Sequence, residues 1–397
     1  MKIIESSEIA ELKLRSRYIT WWVVVILVAP VLLDFFFFNT QAARYARILI
    51  LGAVLVSLIF NNHIFLKSKN VGFGSILLIG AVFAIGTYSD LIRGGVLTPN
   101  IGLLLLFLFI ISTNIDLYEG FFRAISFSIH CLTSVSAVAI ILRLNPRGYY
   151  ASSEGYPVFF DFIGIEGRNN GVFPHPNSLG QVAALSLILV IASRSNKLLV
   201  LFPILCLIKC GSRTALIGIL MALLVYLIVW VFRNGATKGK SVKLESPFAI
   251  GGFVLTILLA SSVQFLGYLN LLDPSALTSR ASIWQSAYSI YKSSPILGLG
   301  WGWEQRAVDS QLINIWATSA HNAILDIIFS SGVIGLIVFL VLVSKVFAYF
   351  PLLDYPEKMI VVFSFSAGIS EAIIEMQYPT IQTYLVLFVI LTSNRKV

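Results

Sequence analysis

The stretch "TSAHNAILDIIFSSGVIGLIVFL" (318–340) puts an imidazole, His321, and an amide, Asn322, at the entrance of a long apolar helix. One turn further in, the same helix carries a carboxylate, Asp326. A neutral imidazole with an ordinary pKa of about 6.5 is suited to take a proton from a hydroxyl. Polar groups left unpaired in hydrocarbon are costly, so the cluster is either a satisfied interfacial group or a water-facing site that moves protons. Two arginines suggest the charge such a site would handle. Arg213 lies in "KCGSRTALIG" (209–218) and Arg280 in "LTSRASIWQSAYSIYKSSPILGLGWGWE" (277–304). A guanidinium is a planar fork that grips phosphate or carboxylate in a way an ammonium does not. "GRNNGVFPHPNSLG" (167–180) adds Arg168, His175 and Asn177. Ser212 and Ser319 have the residue type of helix caps. Helix N-termini at Arg213 and His321 would add partial positive charge toward a bound anion.

Each residue also has a plainer reading. A lone Arg213 or Arg280 snorkels to headgroups. Trp284, Trp301, Trp303 and Trp316 crowd one loop, where they serve either an aromatic belt or a platform on which sugars stack. His175, between two prolines, shapes a turn. Glu371 and Glu375 share a helical face, where they balance arginines or orient a catalytic group. Cys131, Cys206 and Cys210 all lie in apolar runs and read as small buried residues rather than metal ligands or a disulfide.

The elements that must position these groups are membrane helices. Of 397 residues, 57% are hydrophobic and 12% charged, about half the charge of a soluble domain. Mean hydropathy is +0.88. Repeated apolar runs, each long enough to span the hydrocarbon core of a bilayer, give an all-α polytopic protein. It is read as one transmembrane domain over 1–397. Twelve spans are expected, near 19–38, 48–66, 72–88, 100–112, 121–142, 178–193, 197–209, 214–232, 248–269, 321–343, 358–374 and 378–393. The first is too long for a signal-peptide core and is expected to be retained. The long linkers 143–177 and 270–320 then share the outer face, the second joining spans 9 and 10, with both termini inside. On this map eleven of seventeen inner cations are lysine, while nine of eleven outer ones are arginine. The excess inside follows the positive-inside rule and suits an anionic leaflet, which accounts for most of the net charge of +9. The arginine outside reads as a surface built to hold an anion.

Some chemistry is disfavoured. "NGATKGKS" (234–241) resembles a phosphate-binding loop, but Asn234 stands where the first glycine belongs and no strand precedes it. The chain has no D-x-D pair, no H-E-x-x-H and no G-x-S-x-G. A nucleotide-driven pump and a cytosolic sugar-nucleotide enzyme are therefore poor readings.

In order and placement, "GVFPHPNSLG", "GSRTAL", "SRASIWQSAYSIYKSSPILGLGWG" and "SAHNAILDIIFSSGVIGLIVFL" resemble the signatures of the O-antigen ligase and Wzy-type polysaccharide polymerase superfamily. The resemblance covers about residues 165–345. It implies a bacterial inner-membrane glycosyltransferase of the GT-C type with a periplasmic active site. The implied donor is a glycan on polyprenyl (undecaprenyl) diphosphate, the acceptor a sugar hydroxyl, and no cofactor or metal is needed. Carried across, the S-R-T arginine is Arg213, the arginine opening the large loop is Arg280, and the H-N histidine is His321, the general base. Asn322, Asp326, Glu371 and Glu375 are its possible orienting groups. Arg168, Asn177, Trp284, Trp301, Trp303 and Asn322 are expected to bind substrate. A polymerase acting on lipid-linked repeat units, with a possible chain-length regulator, is the first reading. A ligase acting on lipid A core is the alternative. A flippase of lipid-linked oligosaccharides has little use for a fifty-residue outer loop with arginine, tryptophan and a histidine-led helix. A peptidoglycan-type polymerase matches the motifs poorly. Nothing in the composition calls for nucleic acid.

Overall fold

The computed structural model describes residues 6–37, 41–60, 84, 87–88, 99–114, 117–144, 168–173, 175–192, 197–235, 280–303, 307–308, 322–368 and 381–392. Among these, all regular structure is helical. Helices overlap ten of the twelve expected stretches; 248–269 and nearly all of 72–88 lie outside the described residues. Among the described residues, three helical segments are long and apolar enough to cross a membrane: Arg17–Phe36, Tyr118–Ile141 and Ala323–Tyr349. Large apolar side chains such as Trp21, Leu49, Phe127 and Leu220 stand exposed along them and their neighbours. Water would penalise that surface and lipid does not, which makes this an integral membrane protein.

The chain divides into two compact units, one within residues 1–73, 99–151 and 158–211, the other within 74–98, 152–157 and 212–397. The first contains α1 (Ser6–Phe37), α2 (Gln41–Phe60), α3 (Pro99–Thr113), α4 (Tyr118–Ile141), α5 (Pro176–Ala192) and α6 (Leu201–Cys210). Here α4 is the hub, packed on α1, α5 and α6. It allows close approach because two of its buried polar residues are small and self-satisfied. Ser128 Oγ donates to the Ala124 carbonyl at 2.9 Å and Thr133 Oγ1 to the Ile129 carbonyl at 2.8 Å. Such hydroxyls bond within their own helix and leave a narrow surface for a neighbour. Buried Arg47 of α2 forms an ion pair with Asp34 near the end of α1.

The second unit contains α7 (Arg213–Gly235), α8 (Arg280–Tyr291), α9 (Ala323–Tyr349), α10 (Tyr355–Gly368) and α11 (Ile381–Thr392). Helix α10 packs along α7 and α11, α9 packs on α11, and α8 on α9. The start of α10 is a capping box, in which the Asp354 N–H donates to Glu357 Oε2 at 2.7 Å. The main departure from expectation is in α9. Its sequence reads as one unbroken apolar helix, yet Gly332 has φ 68° and ψ −169°, outside helical geometry, so the element is two helices meeting at a break.

Candidate active site

The entrance of α9 is built by Asn322. Its backbone is extended (φ −159°, ψ 120°), and its Oδ1 accepts from the N–H groups of Ile324 and Leu325, both at 3.0 Å. Its carbonyl accepts from the Asp326 N–H at 2.9 Å. This is an N-cap, satisfying donors that a helix leaves open at its start. Asn322 and Asp326 are both buried. A carboxylate in the first turn is favoured by the partial positive charge of the helix end. Asn322 therefore spends its side-chain oxygen on the helix, and Asp326 is the buried acid of that turn. His321 lies outside the described residues, immediately before this cap in sequence.

Helix α7 begins in the same manner. Ser212 is buried, and its Oγ accepts from the Ala215 N–H at 3.3 Å, the cap its residue type predicts. Arg213, the first helical residue, is exposed. Arg280 is likewise the first residue of α8. Both arginines that the sequence singles out thus stand at helix N-termini in the second unit, where the helix end adds to their positive field. Ser319, Trp316, Glu371 and Glu375 lie outside the described residues.

Arg168 and Asn177 meet in the first unit. Arg168 Nε donates to the Cys210 carbonyl at 2.7 Å, and a terminal nitrogen donates to Asn177 Oδ1. The adjacent Asn169 N–H donates to the Lys209 carbonyl at 2.8 Å. These bonds satisfy C-terminal carbonyls of α6, as a helix end requires. The helix stops at Gly211, whose φ of 57° is left-handed. His175 Nδ1 accepts from the Asn177 N–H at 3.1 Å, so that ring shapes the turn into α5. The rest of the "RNNGVF" turn is held by its own Asn169 and by α4. Asn169 Oδ1 accepts from the Gly171 N–H at 2.8 Å, and Ser136 Oγ of α4 accepts from the Val172 N–H at 3.3 Å.

The tryptophans divide by burial. Trp301 and Trp303 are buried, and Trp284 is half-buried. Trp303 meets Phe329 of α9 edge-to-face at 5.4 Å, in a cluster with Ala287, Tyr291, Leu299 and Ala307. Trp284 packs on the outside of that cluster. Trp303 and Trp284 thus belong to packing that joins α8 to α9.

Sequence reading missed what lies beneath that core. Residues 295–300 run into the break in α9. The Leu299 and Gly300 N–H groups donate to the Phe329 and Ser330 carbonyls at 2.6 and 2.9 Å. In return, the Val333 and Ile334 N–H groups donate to the Pro295 and Ile296 carbonyls at 3.0 and 3.4 Å. Tyr291 Oη donates to the Pro295 carbonyl at 2.7 Å. Burial, and then the neighbouring Tyr288 phenol, hold that phenol above its ordinary pKa, so it keeps the proton it donates. The only advance signal is the glycine run "GLGWG". His130 escapes a sequence reading as well; its Nδ1 lies 2.8 Å from Ser186 Oγ, joining α4 to α5.

Cys206 and Cys210 point their thiols at the Thr133 and Leu207 carbonyls, as small buried residues do. Among the described residues no group of three or more His, Cys, Asp or Glu could hold a metal ion.

Residues 198–340 match the family model Wzy_C, described as O-antigen ligase. That stretch takes in Arg213, Arg280, His321, Asn322, Asp326 and the tryptophans. Arg168, Asn177, Glu371 and Glu375 fall outside it. No curated protein and no solved structure matches the chain.

Proposed function

We propose, from the O-antigen ligase match over residues 198–340, that this membrane protein is a glycosyltransferase using a polyprenyl diphosphate-linked glycan. The observation that carries the reading is that one matched segment contains both helix-leading arginines and the His-Asn entrance of α9. In the proposed step, an acceptor sugar hydroxyl attacks the anomeric carbon while His321 takes its proton. The bond from that carbon to the diphosphate oxygen breaks, and the polyprenyl diphosphate leaves with the electron pair. One displacement inverts the anomeric centre. Arg213 and Arg280 stabilise the charge that grows on the leaving diphosphate, the task a divalent cation performs elsewhere. Asp326, buried one turn inside α9, is taken as the orienting acid in this scheme, because the Asn322 oxygen is occupied as a cap. The site faces the periplasm in this scheme.

The acceptor has two readings. A lipid-linked repeat unit would make the enzyme a polymerase, the broader class. The description of the matched family favours transfer to lipid A core.

The test uses purified protein in lipid, with EDTA present, offering each acceptor separately and scoring transfer and donor binding independently. His321→Ala should lower turnover by about 10²–10⁴ with donor binding little changed. Wild-type activity should fall as pH drops through the histidine range, because imidazolium accepts no proton. Arg213→Lys and Arg280→Lys keep the charge and lose the fork, so each should slow transfer. Full transfer by His321→Ala removes the base assignment, and a strict divalent-metal requirement removes the arginine account. Movement of the glycan across the bilayer without a new glycosidic bond would identify a flippase.

A further inference from the structure

The break in α9 serves no step of that chemistry. Gly332 lies nine residues beyond Ala323. At about 1.5 Å per residue, that is roughly 13 Å along the helix axis. A break inside so long an apolar helix frees backbone groups that protein must satisfy. Residues 295–300 do this with four hydrogen bonds, two in each direction. An unbroken apolar helix would need no such partner. The interruption fixes something that an unbroken helix leaves free, namely the register of the 295–300 segment against α9. A slip of one residue would break all four bonds together.

We propose that residues 295–300 are a positioning splint that locks the Arg280 helix to the His321 helix, with Gly298, Gly332 and Tyr291 as its positioning residues. The proposal deepens the glycosyltransferase reading and rests on it. The two glycines are required reciprocally. A Cβ on Gly298 would lie 2.5 Å from the Gly332 nitrogen and 2.6 Å from the Ser330 carbonyl oxygen. A Cβ on Gly332 would collide with the Ile296 carbonyl and the Gly298 nitrogen. Both have positive φ, 76° and 68°. The ψ of Gly332 puts it in a region open essentially to glycine alone. Tyr291, the last residue of α8, anchors the near end through its bond to Pro295 and packs on Phe329 at 5.5 Å. Phe329 supplies one of the carbonyls at the break, so side-chain and backbone contacts converge on one point. The segment thereby connects α8, which begins at Arg280, to α9, which follows His321. Transfer reactions are sensitive to misplacements of about 1 Å in such groups.

The experiment uses the full chain in lipid nanodiscs with spin labels on cysteines placed at the exposed positions Tyr288 and Ile324, Cys131 being replaced by serine. Gly298→Ala and Gly332→Ala should broaden the narrow label-to-label distance of the parent chain. They should lower turnover by about a hundredfold while KM for the polyprenyl diphosphate glycan stays within about twofold. Tyr291→Phe removes one hydroxyl and keeps the ring. It should insert normally and lose roughly three- to tenfold in turnover at unchanged KM. If the glycine variants fail to insert, Tyr291→Phe decides. Parental distance and turnover in Tyr291→Phe, or a loss expressed only in KM, would overturn the splint. Wild-type protein that transfers no glycan would defeat the functional reading instead, and the distance measurement would still decide whether 295–300 holds the two helices.

Discussion

Substituting Asn322 separates capping from chemistry at the entrance of α9. In Asn322→Ala, the Ile324 and Leu325 N–H groups lose an acceptor that each holds at 3.0 Å. Loss of an N-cap costs about 0.5–2 kcal/mol, and an unsatisfied buried donor costs about 1–3 kcal/mol. Asn322 is only 7% exposed, so water replaces the lost acceptor poorly and the upper end of the capping range applies. We expect about 2 kcal/mol, which is roughly thirtyfold in the folded-to-unfolded ratio. Asn322→Asp keeps an oxygen at the cap and adds charge that the helix end favours but buried Asp326, one turn on, opposes, so stability should return most of the way to wild type. The assay is reversible unfolding in lipid beside glycan transfer. If Asn322 acts only as a cap, the Asp variant recovers turnover together with stability. A stable Asp variant that stays slow would assign the amide N–H₂ to the reacting groups. An alanine variant as stable as wild type would refute the reasoning, because the cap would then contribute nothing.

Two other predictions concern the first unit. Arg168→Lys keeps a positive charge but cannot reach both the Cys210 carbonyl and Asn177 Oδ1. The loss of one such hydrogen bond should lower stability by about 1 kcal/mol, with KM for the donor unchanged. A selective rise in donor KM at full stability would place Arg168 on the substrate instead. Asp34→Asn leaves the buried Arg47 guanidinium without its counter-charge. The Asp34 side chain is 26% exposed, so the pair is only partly shielded from water. The expected cost in a denaturation series is therefore about 3 kcal/mol, the low end for a broken buried pair. An Asp34→Asn chain with unaltered stability would show that the pair contributes nothing net.

Reading the sequence alone succeeds where residue type carries the information and fails where backbone geometry carries it. Apolar runs locate α1, α4 and α9 because lipid imposes a length and a composition on any helix that crosses it. Ser212 declares itself a cap, and His175 a turn residue, since each has a local partner within three residues. From their types, Arg168 and Asn177 read as substrate contacts. Their bonds to each other and to Cys210 join positions up to 42 residues apart, which no local pattern encodes. The same holds for Trp303, whose residue type gives no hint of the Phe329 ring 5.4 Å away.

Gly332 is the strongest instance of that divide. In "FSSGVIGL" it sits among helix-compatible residues, and glycine inside a membrane helix is ordinary. Its break exists because a second segment, more than thirty residues earlier, supplies the four missing hydrogen bonds, and that segment is itself recognisable only as "PILGLG". Neither half announces the other. Side chains that perform chemistry must be of particular types, so they stand out in a sequence even without structural context. The backbone that sets their spacing needs only the absence of a side chain at Gly298 and Gly332. Reciprocity is what makes that absence meaningful: each glycine leaves the space that the other's backbone occupies.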